Sequence, residues 1–198
     1  MLSMNVKVPS SKGHMMAATI DRPDGPAQAY AIFAHCFAGS RHTPGASRIA
    51  KRLTEHGIAT LRFDFPGLGQ SEGEFKDTSF SENVDDIVAA AQWLEANYKA
   101  PQLLMGHSLG GAATLKAATR PELKKMIKAV ATVGAPFAPV SARPSQGSNG
   151  SRWFSAASAA STCAWTVSRR RSSISGPIRV RRAAAAGSVL LPRLAPRL

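Results

Sequence analysis

Apolar residues fall into short runs separated by polar and turn-forming stretches, and the runs alternate between two periods. Asn5–Val8 and Met15–Ile20 open the chain as two short strands of a hairpin. The turn sequence Arg22-Pro23-Asp24-Gly25-Pro26 closes that unit. Residues 30–35 (YAIFAH) are continuously apolar, as suits a strand covered on both faces. Residues 45–56 place Ile49, Leu53 and His56 at helical spacing, with Gly57 as a stop. A second strand spans Ile58–Phe65, broken by Pro66-Gly67-Leu68-Gly69. Ser79 with Glu82 three residues on forms a capping box. The helix it opens carries Val84, Ile87, Val88, Ala91 and Leu94 on one face and runs to about Tyr98. Strand 102–106, a small-residue helix over 109–119 and strand 128–133 complete the pattern. Strands alternating with helices predict an α/β architecture, a mostly parallel sheet with helices on both faces.

This grammar stops after Val140. Residues 141–198 contain no Asp, Glu, Lys, His or Tyr, and Ser, Ala, Arg, Pro and Gly fill 41 of the 58 positions. Two segments follow: 1–140, the N-terminal part of an α/β domain, and 141–198, an Arg/Ser/Ala-rich tail expected to be disordered. The net charge of +13 divides unevenly, because all twelve acids and fifteen of the 25 Lys and Arg precede residue 141. The first segment is therefore near +3 and the tail +10. A nucleic-acid binder is disfavoured, since Trp153, Phe154 and Trp165 are not interleaved with the arginines. No apolar stretch is long enough for a membrane span, and no basic-then-apolar leader opens the chain. Two distant cysteines, Cys36 and Cys163, make no disulfide framework, so a cytoplasmic, reducing setting is expected.

The chemistry centres on Gly106-His107-Ser108-Leu109-Gly110, a G-x-S-x-G pentapeptide between strand 102–106 and helix 109–119. A serine raised on so tight a turn needs small neighbours, which Gly106 and Gly110 provide, and Gly111 gives further room. The helix start presents free N–H groups that favour developing negative charge. Ser108 is the candidate nucleophile. His107 adjoins it in sequence, but its side chain leaves the turn in another direction and is a poor base. No cysteine or His/Asp cluster stands at metal-ligand spacing, so no metal or cofactor is expected, and Cys36 reads as a packed residue. His14, His42 and His56 read as surface or loop residues, and Asp85 and Asp86 as solvated or turn-pairing positions on the capped helix.

Four runs together resemble the α/β-hydrolase superfamily of serine hydrolases: AHCF at 34–37, RFDFPGLGQSEGEF at 62–75, GHSLGGAA at 106–113 and VGAPF at 133–137. They are most similar to the hydrolase half of bacterial proteins in which such a domain precedes an OsmC-like domain. The resemblance implies an esterase-like reaction on a small-molecule acyl substrate. It also implies an oxyanion hole built from the Phe37 N–H, with Cys36 as second choice, and the Leu109 N–H. His35 would order the oxyanion loop together with Cys36. Asp64 sits in the D-x-x-G-x-G-x-S turn, which is structural in these proteins, and their triad acid follows a later strand. Nothing past Val140 matches, so the C-terminal part of the fold is expected to be missing or replaced.

The resemblance implies the order Ser, acid, His along the chain, yet no His follows Ser108, and Glu122 is the one acid that does. A truncated, weak or inactive catalyst is expected. A non-catalytic scaffold on the hydrolase fold and a basic-tail nucleic-acid binder are the alternatives. Ala, Arg, Ser, Pro and Gly are also what GC-rich codons yield when read out of frame. On that reading, an adjacent frame of the gene past codon 140 encodes an alternating strand–helix pattern, and sequencing the gene checks it. Frames without that pattern would reject it.

Overall fold

A computed structural model describes residues 1–136 and the backbone of 165–169. Among the described residues seven strands form one sheet in the order β1-β2-β4-β3-β5-β6-β7. They are β1 (Leu2–Pro9), β2 (Met15–Arg22), β3 (Ala29–Ala34), β4 (Ile58–Phe63), β5 (Leu103–His107), β6 (Ala129–Val133) and β7 (Trp165–Arg169). The opening hairpin, β1 on β2, is antiparallel, and β2 runs antiparallel to β4. The next contacts, β4 to β3, β3 to β5 and β5 to β6, are all parallel.

The helices are α1 (Pro44–Glu55), α2 (Phe80–Asn97), α3 (Leu109–Ala117) and the single turn α4 (Pro121–Lys124). Their faces follow from chain direction. The crossover from β3 to β4 moves one way across the sheet, and those from β4 to β5 and from β5 to β6 move the other way. Right-handed crossovers therefore put α1 on one face and α2 with α3 on the opposite face. The start of α2 is set by the predicted capping box, since Glu82 N–H donates to Ser79 Oγ (3.2 Å) and Ser79 N–H to Glu82 Oε2 (3.1 Å).

Alternation along the strands assigns each side chain to a face. Ile20, Ile32, Leu61, Phe63 and Leu104 are fully buried and join Val84, Ile87, Ala91 and Leu94 of α2 and Ala113 and Ala117 of α3 in one apolar core. Asp85, from the opposite side of α2, pairs with Arg120, whereas Asp86 is buried and accepts from Ser11 N–H (2.9 Å) and Oγ–H (2.7 Å). Burial raises the Asp86 carboxyl above the usual aspartate range, and the Ser11 bonds act against that rise. The α1 face is less uniform. It buries Ala31, Phe33, Ala46 and Ala50, but also Thr19, Asp21 and Arg62.

The predicted elements reappear with ends displaced by a few residues, and β4 stops at Phe63, two residues before the apolar run ends. The expectation of a tail without structure is corrected at one place. Trp165–Arg169 pairs antiparallel with β6, Val133 facing Trp165 and Ala129 facing Arg169. The free edge of β6 offers a row of N–H and C=O groups. Trp, Thr and Val are residue types that fit a strand. The rest of the tail, 137–164 and 170–198, lies outside the described residues.

Candidate active site

Ser108 stands between β5 and α3 with φ 52° and ψ −118°, the one non-glycine residue among those described with positive φ. Such a backbone costs about 1–3 kcal/mol and persists only where its surroundings enforce it. Two hydrogen bonds help to do so. Ser108 N–H donates to Val133 O at the end of β6 (2.9 Å), and Ala112 N–H donates to Ser108 O (3.0 Å). The side chain is half-buried and makes no hydrogen bond to a described residue.

The glycines do what the turn requires. A Cβ on Gly106 would lie 2.6 Å from the Gly110 carbonyl carbon and 2.7 Å from Gly111 Cα. A Cβ on Gly110 would collide with the carbonyl oxygens of His35 and Ala34 and lie 2.7 Å from the Ala34 carbonyl carbon. The first turn of α3 therefore rests directly on the main chain where β3 ends. That contact brings the loop beginning at His35 beside the serine turn. His107 is exposed, and Leu109 opens α3, half-buried.

His35 is 1% exposed and held by main chain on both ring nitrogens. Phe65 N–H donates to Nε2 (3.2 Å), which leaves the proton on Nδ1, and Nδ1–H donates to Cys36 O (2.6 Å). The same Cys36 carbonyl accepts Gly39 N–H (2.9 Å), closing a tight turn over Cys36, Phe37, Ala38 and Gly39. The half-buried Phe37 ring meets Phe75 edge-on, with centroids 4.6 Å apart. Burial lowers the His35 pKa below the ordinary 6.5, and the Cys36 carbonyl and the Asp64 carboxylate (3.9 Å) act against it.

Asp64 is fully buried and already engaged. It accepts Arg41 N–H (2.5 Å), the Arg41 guanidinium and Gln70 N–H (3.1 Å). These bonds engage both carboxylate oxygens within its own turn and the neighbouring loop. The arginines around it carry roles the sequence reading did not assign. Buried Arg41 also donates to Thr19 Oγ1 (3.2 Å) and Gln70 Oε1 (2.6 Å). Arg62 pairs with Asp21 (Nε to Oδ2, 2.6 Å) and donates to Arg41 O and to Ser47 Oγ (3.1 Å). The available signal was Arg62 inside an otherwise apolar strand, since a charge at a covered position must have a partner.

Among the described residues no His, Asp or Glu is hydrogen-bonded to the Ser108 hydroxyl. His14, His42 and His56 are exposed on other elements. Glu122 lies on α4, beyond the far end of α3, whose nine residues rise about 14 Å from the serine turn. Among the described residues no group of three His, Cys, Asp or Glu could hold a metal ion. No described helix is long and apolar enough to cross a membrane.

A mostly parallel sheet with a strained serine between a central strand and a helix defines the α/β-hydrolase class. The chain belongs to the serine aminopeptidase S33 family of that superfamily, whose profile it matches over residues 25–190, which corrects the expectation that the match ends at Val140. It is 41% identical to the esterase domain of a Rhodothermus marinus protein, with a TM-score of 0.55 over 72% of this chain and 58% of that one. It is 30% identical over 137 residues to human palmitoyl-protein thioesterase ABHD10, mitochondrial, covering 64% of this chain and 42% of that protein. An uncharacterized 31.7 kDa Escherichia coli protein is 32% identical over 99 residues, which are 48% of this chain and 34% of that protein. The chain thus spans less than half the length of these two relatives.

Two outcomes follow from this geometry. Gly110→Ala forces a methyl group into two carbonyl oxygens and should cost at least about 1–3 kcal/mol, read as a lowered urea midpoint. A midpoint unchanged from wild type would contradict the close approach. The depressed His35 pKa means that the unfolded chain takes up this proton first. Its contribution to stability is whole above about pH 6.5 and is lost as pH falls toward the folded value. The urea midpoint should fall from pH 7 to pH 5, and His35→Gln should flatten that slope. An equal slope in both proteins would exclude His35 as its source.

Proposed function

We propose that this chain presents the nucleophile and oxyanion half of a serine acyl hydrolase acting on small ester or thioester substrates. The observation that carries the reading is the strained Ser108 turn packed on the His35 main chain. In the proposed chemistry Ser108 Oγ attacks the acyl carbonyl. The oxygen gains negative charge and is held by the Phe37 and Leu109 N–H groups at the positive end of α3. Gly106, Gly110 and the exposed His107 shape the turn, and His35 and Cys36 hold the loop that carries Phe37. The acyl group transfers to Ser108, the alcohol or thiol leaves, and water then releases the acid. The thioesterase and esterase relatives support this substrate class.

The same reading makes the chain a poor catalyst on its own. Ser108 needs a base to take its proton, and none of the five histidines stands ready for that. In a serine protease, losing the His costs about 10⁶ in turnover, and the residual 10³–10⁴ over water comes from binding and the oxyanion hole. Residues 141–198 offer no acid or His. A reducing, cytoplasmic setting belongs to the same proposal, supported by the free thiol of Cys36.

Fluorophosphonate labelling of wild type and Ser108→Ala tests this. Labelling should depend on Ser108, be slow, and accelerate when imidazole is supplied as an external base. Equal labelling of the alanine variant would remove Ser108 as nucleophile. Rapid stoichiometric labelling without imidazole would show that a base is present after all.

A further inference from the structure

The loop carrying Phe37 is short and is tied at both ends to one place. At its start, Phe65 N–H holds the His35 ring, and that ring holds Cys36 O. At its end, every polar group of residue 41 is fixed. Arg41 N–H and the guanidinium both go to Asp64, and Arg41 O accepts from Arg62. The guanidinium reaches further, to Thr19 Oγ1 on β2 and Gln70 Oε1 in the following turn. Asp64 and Phe65 are consecutive and directly follow β4, so both tethers end on the same two residues. Residues 37–40 lie between them, with Gly39 N–H turned back to Cys36 O and the Phe37 ring against Phe75.

β4 is also the parallel neighbour of β3, with Phe63 opposite Ala34. The anchor is therefore in register with the strand on which the Ser108 helix rests. A shift of the Arg41 tether would move the Phe37 N–H relative to Ser108 and leave Leu109, which belongs to the helix, where it is. Arg41 is 3% exposed and too deep to meet a substrate directly, so its influence has to pass through the loop.

We propose that Arg41 is a positioning residue for the oxyanion hole: its buried pairing with Asp64 sets where the Phe37 N–H lies relative to Ser108. The proposal rests on the hydrolase reading above and deepens it, since it separates the two oxyanion donors. One is fixed by helix α3, the other by a side-chain network. A planar guanidinium suits this work because it can bond Asp64, Thr19 and Gln70 from one rigid group, which a lysine ammonium on a flexible stem cannot do.

The test compares the full chain with Arg41→Lys and with the double variant Arg41→Met/Asp64→Asn. Removing both buried charges together avoids leaving one unpaired, so the double variant should keep its fold. Three readouts are needed: the urea midpoint, the rate of fluorophosphonate capture at Ser108 in imidazole, and the ¹⁵N shifts and exchange rates of the Phe37 and Leu109 amides. The double variant should unfold near the wild-type midpoint yet label about 10²-fold more slowly, the penalty of a displacement near 1 Å. Its Phe37 amide should move and its Leu109 amide should not, with Arg41→Lys intermediate. Wild-type labelling rates in a double variant that remains folded would overturn the proposal. If the double variant unfolds, Arg41→Lys carries the test on the same readouts. Absence of Ser108-dependent labelling in wild type would sink the hydrolase reading instead. The amides would then decide the Arg41 claim: Phe37 moving alone supports it, and both moving or neither moving overturns it.

Discussion

Two stretches of main chain lie closer together than any side chain permits, and the architecture around Ser108 depends on that contact. The first turn of α3 sits against the carbonyl groups of Ala34 and His35, a distance that only a residue without Cβ allows at position 110. Gly106 allows the same turn to fold back on the strand it left. Once the backbones meet, the dihedrals of Ser108 have little freedom, and the strain of a positive φ is absorbed by the packing of α3 onto β3, β5 and β6. The same contact brings the end of β3, and with it the loop after His35, to the helix N-terminus. The nearness of these two segments thus arises from a packing constraint.

The charged layer under α1 fixes what main-chain contact alone leaves loose. Asp21, Arg62, Arg41 and Asp64 are all buried, which is costly for four charged groups unless each finds partners. Here each does, and the partners lie on β2, β4, α1 and two loops. Such a network is weak evidence for added stability. Its consequence is register: the D-x-x-G turn, the loop carrying Phe37 and the strand pair β2–β4 cannot slide independently. This is why a run that reads as a turn motif in the sequence behaves as part of the scaffold beneath the site.

Much of this was legible before the structure. Each strand and each long helix over 1–136 was visible from periodicity, because one-faced and two-faced burial leave different repeats. The capping box at Ser79 and Glu82 and the serine turn were visible because their chemistry is local. The Phe75–Asp77 turn and the single turn α4 were not, since neither is long enough to show a period. The Arg41 network was missed for another reason. Arg41 lies in a polar loop, where a charge reads as solvated, and only the fold brings Asp64, Thr19 and Gln70 around it. Arg62 inside its strand was the one clue, and it pointed to Asp21 only once β2 and β4 were known to be neighbours. The strand at Trp165–Arg169 was missed because composition describes the average of a segment, while pairing with an open edge needs only five suitable residues.

The contacts that hold the Ser108 turn are separate from the hydroxyl it raises. A catalytic His contributes to proton transfer at Ser108 and need not help to hold the turn. The turn is held by Gly106 and Gly110, by Val133 and Ala112, and by the end of β3. None of these contacts asks anything of the hydroxyl, which makes no hydrogen bond to a described residue. A serine hydrolase fold is therefore modular in a physical sense. On the proposed reading, the nucleophile and the oxyanion donors are held by the central strands and the start of α3, which the described contacts already fix. In this family member the turn that holds Ser108 is built wholly from main-chain contacts within residues 29–136, so its shape is independent of what the hydroxyl does.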